Sequence, residues 1–322
     1  MLLFAMNVHA QFRRTIDHHF KVSVEQLLRL YPGTPASFVY LTAGCLPASA
    51  TLHQRQLCLL GMVARQGPTS ILHQWGTYIL GNPPPCSRSP SAVPWFIQVK
   101  QLCQQYGLPD PLKVLHDAPP KGAWKGAVKR QVAEFWGTKL RAEASALPSL
   151  SHLRPSHMSI SSPSPLITSC ARNGAEVRKM TVQVRMASGR YRTCWLRRHW
   201  SGDSSGDCRV PGCTPNTPGT LTHLATGQCL GLVSTTAAAC DYWREYAASR
   251  PHLIPLLEFY ANGDSATFLA FLLDPGSQAA VISLVQLHRG CALDELCHLT
   301  RTWLFQHHRA RFRALGLWEW LV

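Results

Sequence analysis

The chain has 322 residues, enough to bury a substantial core and most simply read as about two domains. Lys and Arg number 32 against 17 Asp and Glu, a formal charge of +15. That excess favours a polyanionic partner, nucleic acid before a membrane surface, because no single basic amphipathic helix dominates.

The opening Met1–Met6 is apolar but short and lacks a basic preceding region, so no signal peptide is expected. The most apolar later stretch, 266–287, is interrupted by Asp274-Pro275-Gly276-Ser277-Gln278, so neither half could span a bilayer. These features predict a soluble intracellular protein, in the nucleus, the cytoplasm or both. There the 12 Cys are reduced thiols, and paired Cys and His mean metal more often than disulfide.

The spacing of Val24, Leu27, Leu28 and Tyr31 predicts a short helix over 22–30, stopped by Pro32-Gly33. Helices over 51–65 and 70–80 follow, with Leu52, Leu57, Leu59, Leu60 and Val63 on one apolar face and Ile71, Leu72, Trp75, Tyr78 and Ile79 on the next. Gly81-Asn-Pro-Pro-Pro85 ends them, since consecutive prolines remove donors and clash with helical continuation. After a Ser/Pro stretch, Trp95, Val99, Leu102 and Tyr106 predict a helix over 95–106, and Pro109–Pro111 with Pro119-Pro120 frame a short connecting element. The longest pattern runs from Trp124 to Leu147: Val128, Val132, Phe135, Leu140 and Leu147 line one face, while Lys125, Lys129, Arg130, Lys139 and Arg141 occupy much of the remainder. Its polar face could follow a phosphate backbone or could simply be solvated.

From Pro148 to Pro165 the composition turns to Ser, Pro and His and reads as a linker that anchors no core. Between Arg172 and Trp200 eight cations, Arg172, Arg178, Lys179, Arg185, Arg190, Arg192, Arg197 and Arg198, face only Glu176, with Tyr191, Trp195 and Trp200 interleaved. Guanidiniums fork onto phosphates and flat rings stack on unpaired bases, so the mixture suits RNA or single-stranded DNA. Within it Thr181–Met186 alternates as a strand would, so the competing reading is an edge hairpin with Arg residues facing water.

Next come Cys208, Cys213, His223 and Cys229, four soft ligands separated by Pro211, Gly212, Pro215, Pro218 and Gly219, which permit tight turns. Zinc takes four tetrahedral thiolate or imidazole ligands, and a close Cys pair with a later His and Cys is how small structural sites are built. The four-residue gap between the first two Cys requires a bulge at Pro211-Gly212. A chain rich in Cys and His would also produce some cluster by coincidence, with free Cys acting as a small core hydrophobe; turn residues in the gaps favour metal. Beyond Cys229, helical spacing runs from Tyr242 to Tyr260 with a break at Pro251 or Pro255, then a buried segment 268–273 and a closing helix from Leu293 to about Leu315. That helix turns Leu296, Leu299, Trp303 and Leu304 inward and ends on Arg301, His307, His308, Arg309, Arg311 and Arg313. The adjacent His307 and His308 diverge around a helix and are poorly placed to share a metal.

The fold class expected is therefore mainly α, with a short β or irregular segment and a small zinc-knuckle-like module. The segments are a helical part at 1–85, a basic helical connection at 86–150, a linker at 151–171, the Arg-rich stretch with the knuckle at 172–232, and a helical end at 233–322. The ordered set Leu46-Pro47-Ala48, Leu57–Met62 with Ile71-Leu72-His73, Tyr191–Trp195, Cys208 through Gly219–His223 to Cys229, Phe271–Pro275 and Leu299–Trp303 resembles the C-terminal part of the endonuclease/reverse-transcriptase polyprotein of vertebrate LINE-type retrotransposons. The resemblance spans most of the chain after about residue 40 and implies a thumb-like first part and a nucleic-acid-binding CCHC knuckle. The Cys-to-Cys and His-to-Cys gaps are wider than in a retroviral-type knuckle.

Polymerase chemistry needs paired carboxylates for two Mg2+ ions, which the family draws from an Asp-Asp hairpin. No Asp-Asp occurs in the chain, and Phe259–Asp264 offers one carboxylate. The endonuclease constellation is likewise not recognisable, so a non-catalytic fragment without a small-molecule substrate is expected. A zinc deaminase would need His-x-Glu before Pro-Cys-x-x-Cys, and neither occurs. The alternative is a zinc-stabilised protein-interaction module that binds no nucleic acid.

Overall fold

A computed structural model describes residues 10–82, 94–169, 174–189, 207–278 and 291–316, together with 281 and 283. The chain divides into two compact units, Met1–Val24 with Cys45–Leu140 and Glu25–Gly44 with Arg141–Val322. Both are built almost wholly from helices, as expected, and among the described residues the only β pairing is a single bridge between Asp207 and Pro218. No helix among them is long and apolar enough to cross a membrane.

The first unit contains α3 (Ala48–Arg65), α4 (Ile71–Gly81), α5 (Trp95–Gln105), α6 (Pro111–His116) and most of α7 (Lys121–Ser145), preceded by much of α1 (Ala10–Leu27). Helix α2 (Ala36–Ala43) belongs to the second unit. The expected short element between the prolines is α6, started by Asp110, whose carboxylate accepts from the Leu112 amide, with Pro111 where no amide donor is needed. The core joins Leu57, Leu60 and Val63 of α3 to Phe96, Val99 and Leu102 of α5 and to Trp124, Val128 and Val132 of α7. Polar tips of the aromatics are satisfied inside it: Trp124 donates to the Leu57 carbonyl at 2.8 Å, and the Tyr106 hydroxyl lies 2.6 Å from His53 Nδ1 and accepts from Trp136 at 3.1 Å. Packing is tight enough that a Cβ on Gly61 would collide with the Trp124 indole.

The second unit is organised on α14 (Cys291–Ala314), against which α9 (Gly174–Ala187) and α13 (Ser265–Leu273) pack. Here two expectations are corrected. Thr181–Met186 is helical, not a strand: Thr181, Val182, Gln183 and Val184 are all buried, and Gln183 donates to the Leu272 carbonyl at 2.7 Å and the Thr300 hydroxyl at 3.0 Å. The alternation of Val with polar residues reflects a polar contact inside the core and not a wet face. The Ser/Pro stretch does anchor core, since Leu150, Leu153, Met158 and Ile160 are buried along short turns at Pro148–Leu150 and Pro155–His157, and Leu166 is buried just beyond it. Ser164 caps α8 (Pro165–Thr168), and its amide donates to the Thr42 carbonyl at 2.9 Å. Gly44, at φ +64, ends α2 where any Cβ would strike the Ser162–Pro163 backbone.

Beyond the metal cluster, α11 (Val233–Ala248) ends before the turn Pro251–Leu253, and α12 (Ile254–Ala261) carries Pro255 in its first turn, so the expected break falls at Pro251. A buried ion cluster ties α9 to α14. Arg301, only 1% exposed, donates to Glu176 at 3.4 Å and to the Ser169 hydroxyl. Lys179 and His298 lie 2.8 and 3.2 Å from the same carboxylate. Burial alone would raise the Glu176 pKa, but the Lys179 hydrogen bond and the His298 and Lys179 charges outweigh it and hold the carboxyl below its ordinary range. On α14, burial and then the Arg311 and Arg185 charges push His308 down to about 4.

Two outcomes follow from this packing. Gly61→Ala gains helix propensity but overpacks the α3–α7 contact, and is expected to lower stability by about 1 to 3 kcal/mol in urea unfolding; an unchanged midpoint would show that Trp124 gives way freely. His308 binds its proton more weakly folded than unfolded, so the stabilisation is complete above pH 6.5, the ordinary value, and is lost as pH falls toward 4. Protection factors of the α14 amides, taken relative to the intrinsic exchange rate at each pH, should therefore fall over that window, and His308→Asn should flatten the dependence.

Candidate metal centre

Four local devices converge the four ligands. Cys208 leaves the Asp207–Pro218 bridge with its amide donating to the Thr217 carbonyl at 2.7 Å. The Cys213 amide returns to the Val210 carbonyl at 3.0 Å, across a turn in which Gly212 adopts φ +83, the bulge that the sequence required. Thr220 caps α10 (Leu221–Ala225) by accepting from the His223 amide at 3.1 Å, which places the imidazole on the first turn. Cys229 opens the turn Leu230–Leu232, with the Leu232 amide donating to the Cys229 carbonyl at 2.9 Å. Gly231 lies so close to Val210 and the Pro211 carbonyl that a side chain there would part the two halves. Val210, Leu224, Cys229 and Leu232 form a small core beneath the ligands, with Ala310 of α14 packed on it. The Trp303 indole donates to the Ala225 carbonyl at 2.7 Å, fixing the end of α10 to the same helix.

The Sγ atoms of Cys208, Cys213 and Cys229 and a ring nitrogen of His223 all lie within 4.8 Å of one another. Cys208 and Cys229 sulfurs are 3.7 Å apart, and Cys213 Sγ is 3.3 Å from His223 Nε2. Zinc–thiolate bonds of about 2.3 Å at tetrahedral angles put two sulfurs roughly 3.8 Å apart, so the spacing fits such an ion. All three cysteines are free thiols. Burial, reinforced by the neighbouring Cys208 and Cys213, pushes the Cys229 thiol up to about 12, and burial also raises Cys208. His223 is lowered by burial and by the Arg311 charge, so its ring is neutral and can donate a lone pair. A divalent cation inverts this balance, since its charge favours the crowded thiolates. The cluster can therefore hold a metal ion, and its donor set is compatible with zinc. Sequence reasoning passed over Thr220, which a cap residue three positions before His223 could have signalled; Trp303 and Ala310, remote in sequence, carried no signal for this site.

The cations expected to contact nucleic acid fall into three groups. Arg178 is exposed on α9. Lys179 is held by Glu176 at 2.8 Å and by the Thr302 hydroxyl at 3.1 Å, while Arg185 donates to the Arg29 carbonyl at 2.6 Å and lies 5.0 Å from the Tyr31 ring centre. Arg190, Arg192, Trp195, Arg197 and Arg198 lie outside the described residues. His307 is no ligand: it donates to the Trp303 carbonyl at 2.9 Å and accepts from the Thr236 hydroxyl at 3.1 Å. Comparison of the chain with protein-family models, curated proteins and solved structures finds no match.

Replacing Cys213 by Ser should abolish stoichiometric zinc in native mass spectrometry and expose the 207–232 amides to hydrogen exchange, because binding energy at such a site is folding energy. The first unit should keep its protection. A wild-type chain that takes up no metal under reducing conditions would remove the site altogether.

Proposed function

We propose that the chain is a non-catalytic, zinc-stabilised nucleic-acid-binding protein, akin to the C-terminal part of a LINE-type reverse-transcriptase polyprotein, that takes RNA or single-stranded DNA. Zinc is held by Cys208, Cys213, His223 and Cys229, and the observation that carries the reading is the convergence of these four donors within 4.8 Å. Four protein ligands complete a tetrahedral shell, which leaves no open position for a substrate and makes the ion structural. The charge of +15 and the Arg/aromatic approach to the cluster support a phosphate-bearing partner. A second reading, a zinc-stabilised protein-interaction module, is favoured by the engagement of Lys179 and Arg185 inside the fold, which removes two cations from any phosphate surface.

Salt dependence separates the two. Replacing Arg190, Arg192, Arg197 and Arg198 by Ala should weaken single-strand binding and flatten its salt dependence, each lost phosphate contact removing roughly 0.7 from the slope of log affinity against log salt. Trp195→Ala should cost about 1 to 3 kcal/mol of binding with the slope almost unchanged, since base stacking releases no counterions. Absence of binding by the zinc-loaded chain at low salt would leave the interaction module in its place.

A further inference from the structure

The C-terminal basic cluster of α14 is left unused by the zinc centre, yet two of its arginines meet the start of α11 in a concave surface. Ser234, Thr235 and Ala238 of α11 and Phe305, Gln306, Arg309, Ala310 and Arg313 of α14 enclose a cleft of about 330 Å³. We infer that this cleft is a site for a phosphate group of a nucleic-acid strand, held by the Arg309 and Arg313 guanidiniums on one wall and the Ser234 and Thr235 hydroxyls on the other. The inference rests on the nucleic-acid reading above and gives it a second contact point.

Three features point to an anion. First, among the described residues the lining contains two guanidiniums and two hydroxyls and no acidic side chain; guanidinium forks match phosphate oxygens in pairs, and hydroxyls donate to the remaining ones. Arg309 and Arg313 stand four residues apart on one helix, so both side chains reach the same face, and both are exposed. Arg309 lies along the Phe305 ring, 5.7 Å from its centre, which limits the directions its fork can take. Second, among the described residues the buried side-chain oxygen of Gln306 finds no hydrogen-bond partner. A half-turn of that amide puts its NH2 in the same place, a donor that an anion oxygen entering the cleft can satisfy. Third, the walls are fixed to each other. Thr236, next to Thr235, donates its hydroxyl to His307 of α14, and Gly227 packs against the Thr236 side chain. Ala310 lines the cleft and also packs on the metal-site core, so the site adjoins the zinc module.

The test uses the full zinc-loaded chain and a fluorescently labelled single-stranded RNA, with anisotropy measured across a salt series. Arg309→Ala with Arg313→Ala should keep the zinc content and reduce the slope of log affinity against log salt by about 1.4, two contacts at about 0.7 each. Ser234→Ala with Thr235→Ala should weaken binding several-fold while leaving the slope in place, because neutral donors release no counterions. An unaltered slope in the arginine variant overturns the cleft and leaves the nucleic-acid reading standing. If the arginine pair loses its zinc, the single variant Arg313→Gln decides, with a slope reduction of about 0.7 expected. If the wild type does not bind RNA at all, the nucleic-acid reading fails, and calorimetry with pyrophosphate tests the cleft separately. Pyrophosphate binding lost in Arg309→Ala retains the cleft as a free-phosphate site, and no binding overturns it.

Discussion

The second unit depends on the pairing of a buried arginine. A guanidinium keeps its proton at any accessible pH, so Arg301 at 1% exposure requires a partner, and Glu176 supplies it. Removing either charge would leave the other desolvated, a loss on the order of 3 to 5 kcal/mol. The pair is also directional. Glu176 is gripped by Lys179 on its own helix and by His298 on α14, and His298 in turn meets the Tyr242 hydroxyl of α11 at 2.7 Å. One carboxylate thereby fixes the register of α9 on α14 and reaches α11 through a single imidazole. Register matters because α14 is used along its length: Thr300 binds Gln183, Trp303 holds the end of α10, His307 meets Thr236, and Ala310 underlies the metal ligands.

The metal cluster is the opposite kind of solution. Its own core is small, formed by Val210, Leu224, Cys229 and Leu232 with Cys208, Cys213 and Ala310 packed against it. Turns and caps bring the donors close, but burial there raises the Cys208 and Cys229 thiols and opposes their ionisation. A divalent ion held by the four donors would resolve that conflict, while Trp303 and Ala310 of α14 fix the position of the segment.

Much of this was legible in the sequence, and the failures share a cause. Helices in the first unit were readable because apolar residues recur at helical spacing and proline marks their ends, as at Pro47, Pro94 and Pro111. The metal ligands were readable because Gly212 and the prolines around it forbid regular structure and leave the Cys and His a separate purpose. Thr181–Met186 misled because Gln183 is polar yet wholly buried, and its partners, Leu272 and Thr300, are remote in sequence. The Ser/Pro stretch misled for the complementary reason. Its isolated Leu150, Leu153 and Leu166 show no period, since each is buried by elements that meet it from elsewhere in the chain. Periodicity reports a residue's neighbours along one element; it carries nothing about a pocket that distant segments assemble.

Charge shows the same limit, and bears on how the protein could meet an anion. The formal excess of +15 treats all cations alike, but the fold uses Arg301 against Glu176, Lys179 against Glu176 and Thr302, Arg185 against a carbonyl and an aromatic ring, and Arg250 against Glu295 at 2.7 Å. Arg309 and Arg313 are exposed on α14 and line a cleft with the first turn of α11, which begins four residues after Cys229. An ion held at Cys229 would therefore also order the approach to Ser234 and Thr235. A ligand that binds only the ordered state adds its binding free energy to that state's stability. If the cluster holds its ion and the cleft its phosphate, as proposed, the two occupancies would reinforce each other through the Leu230–Leu232 turn.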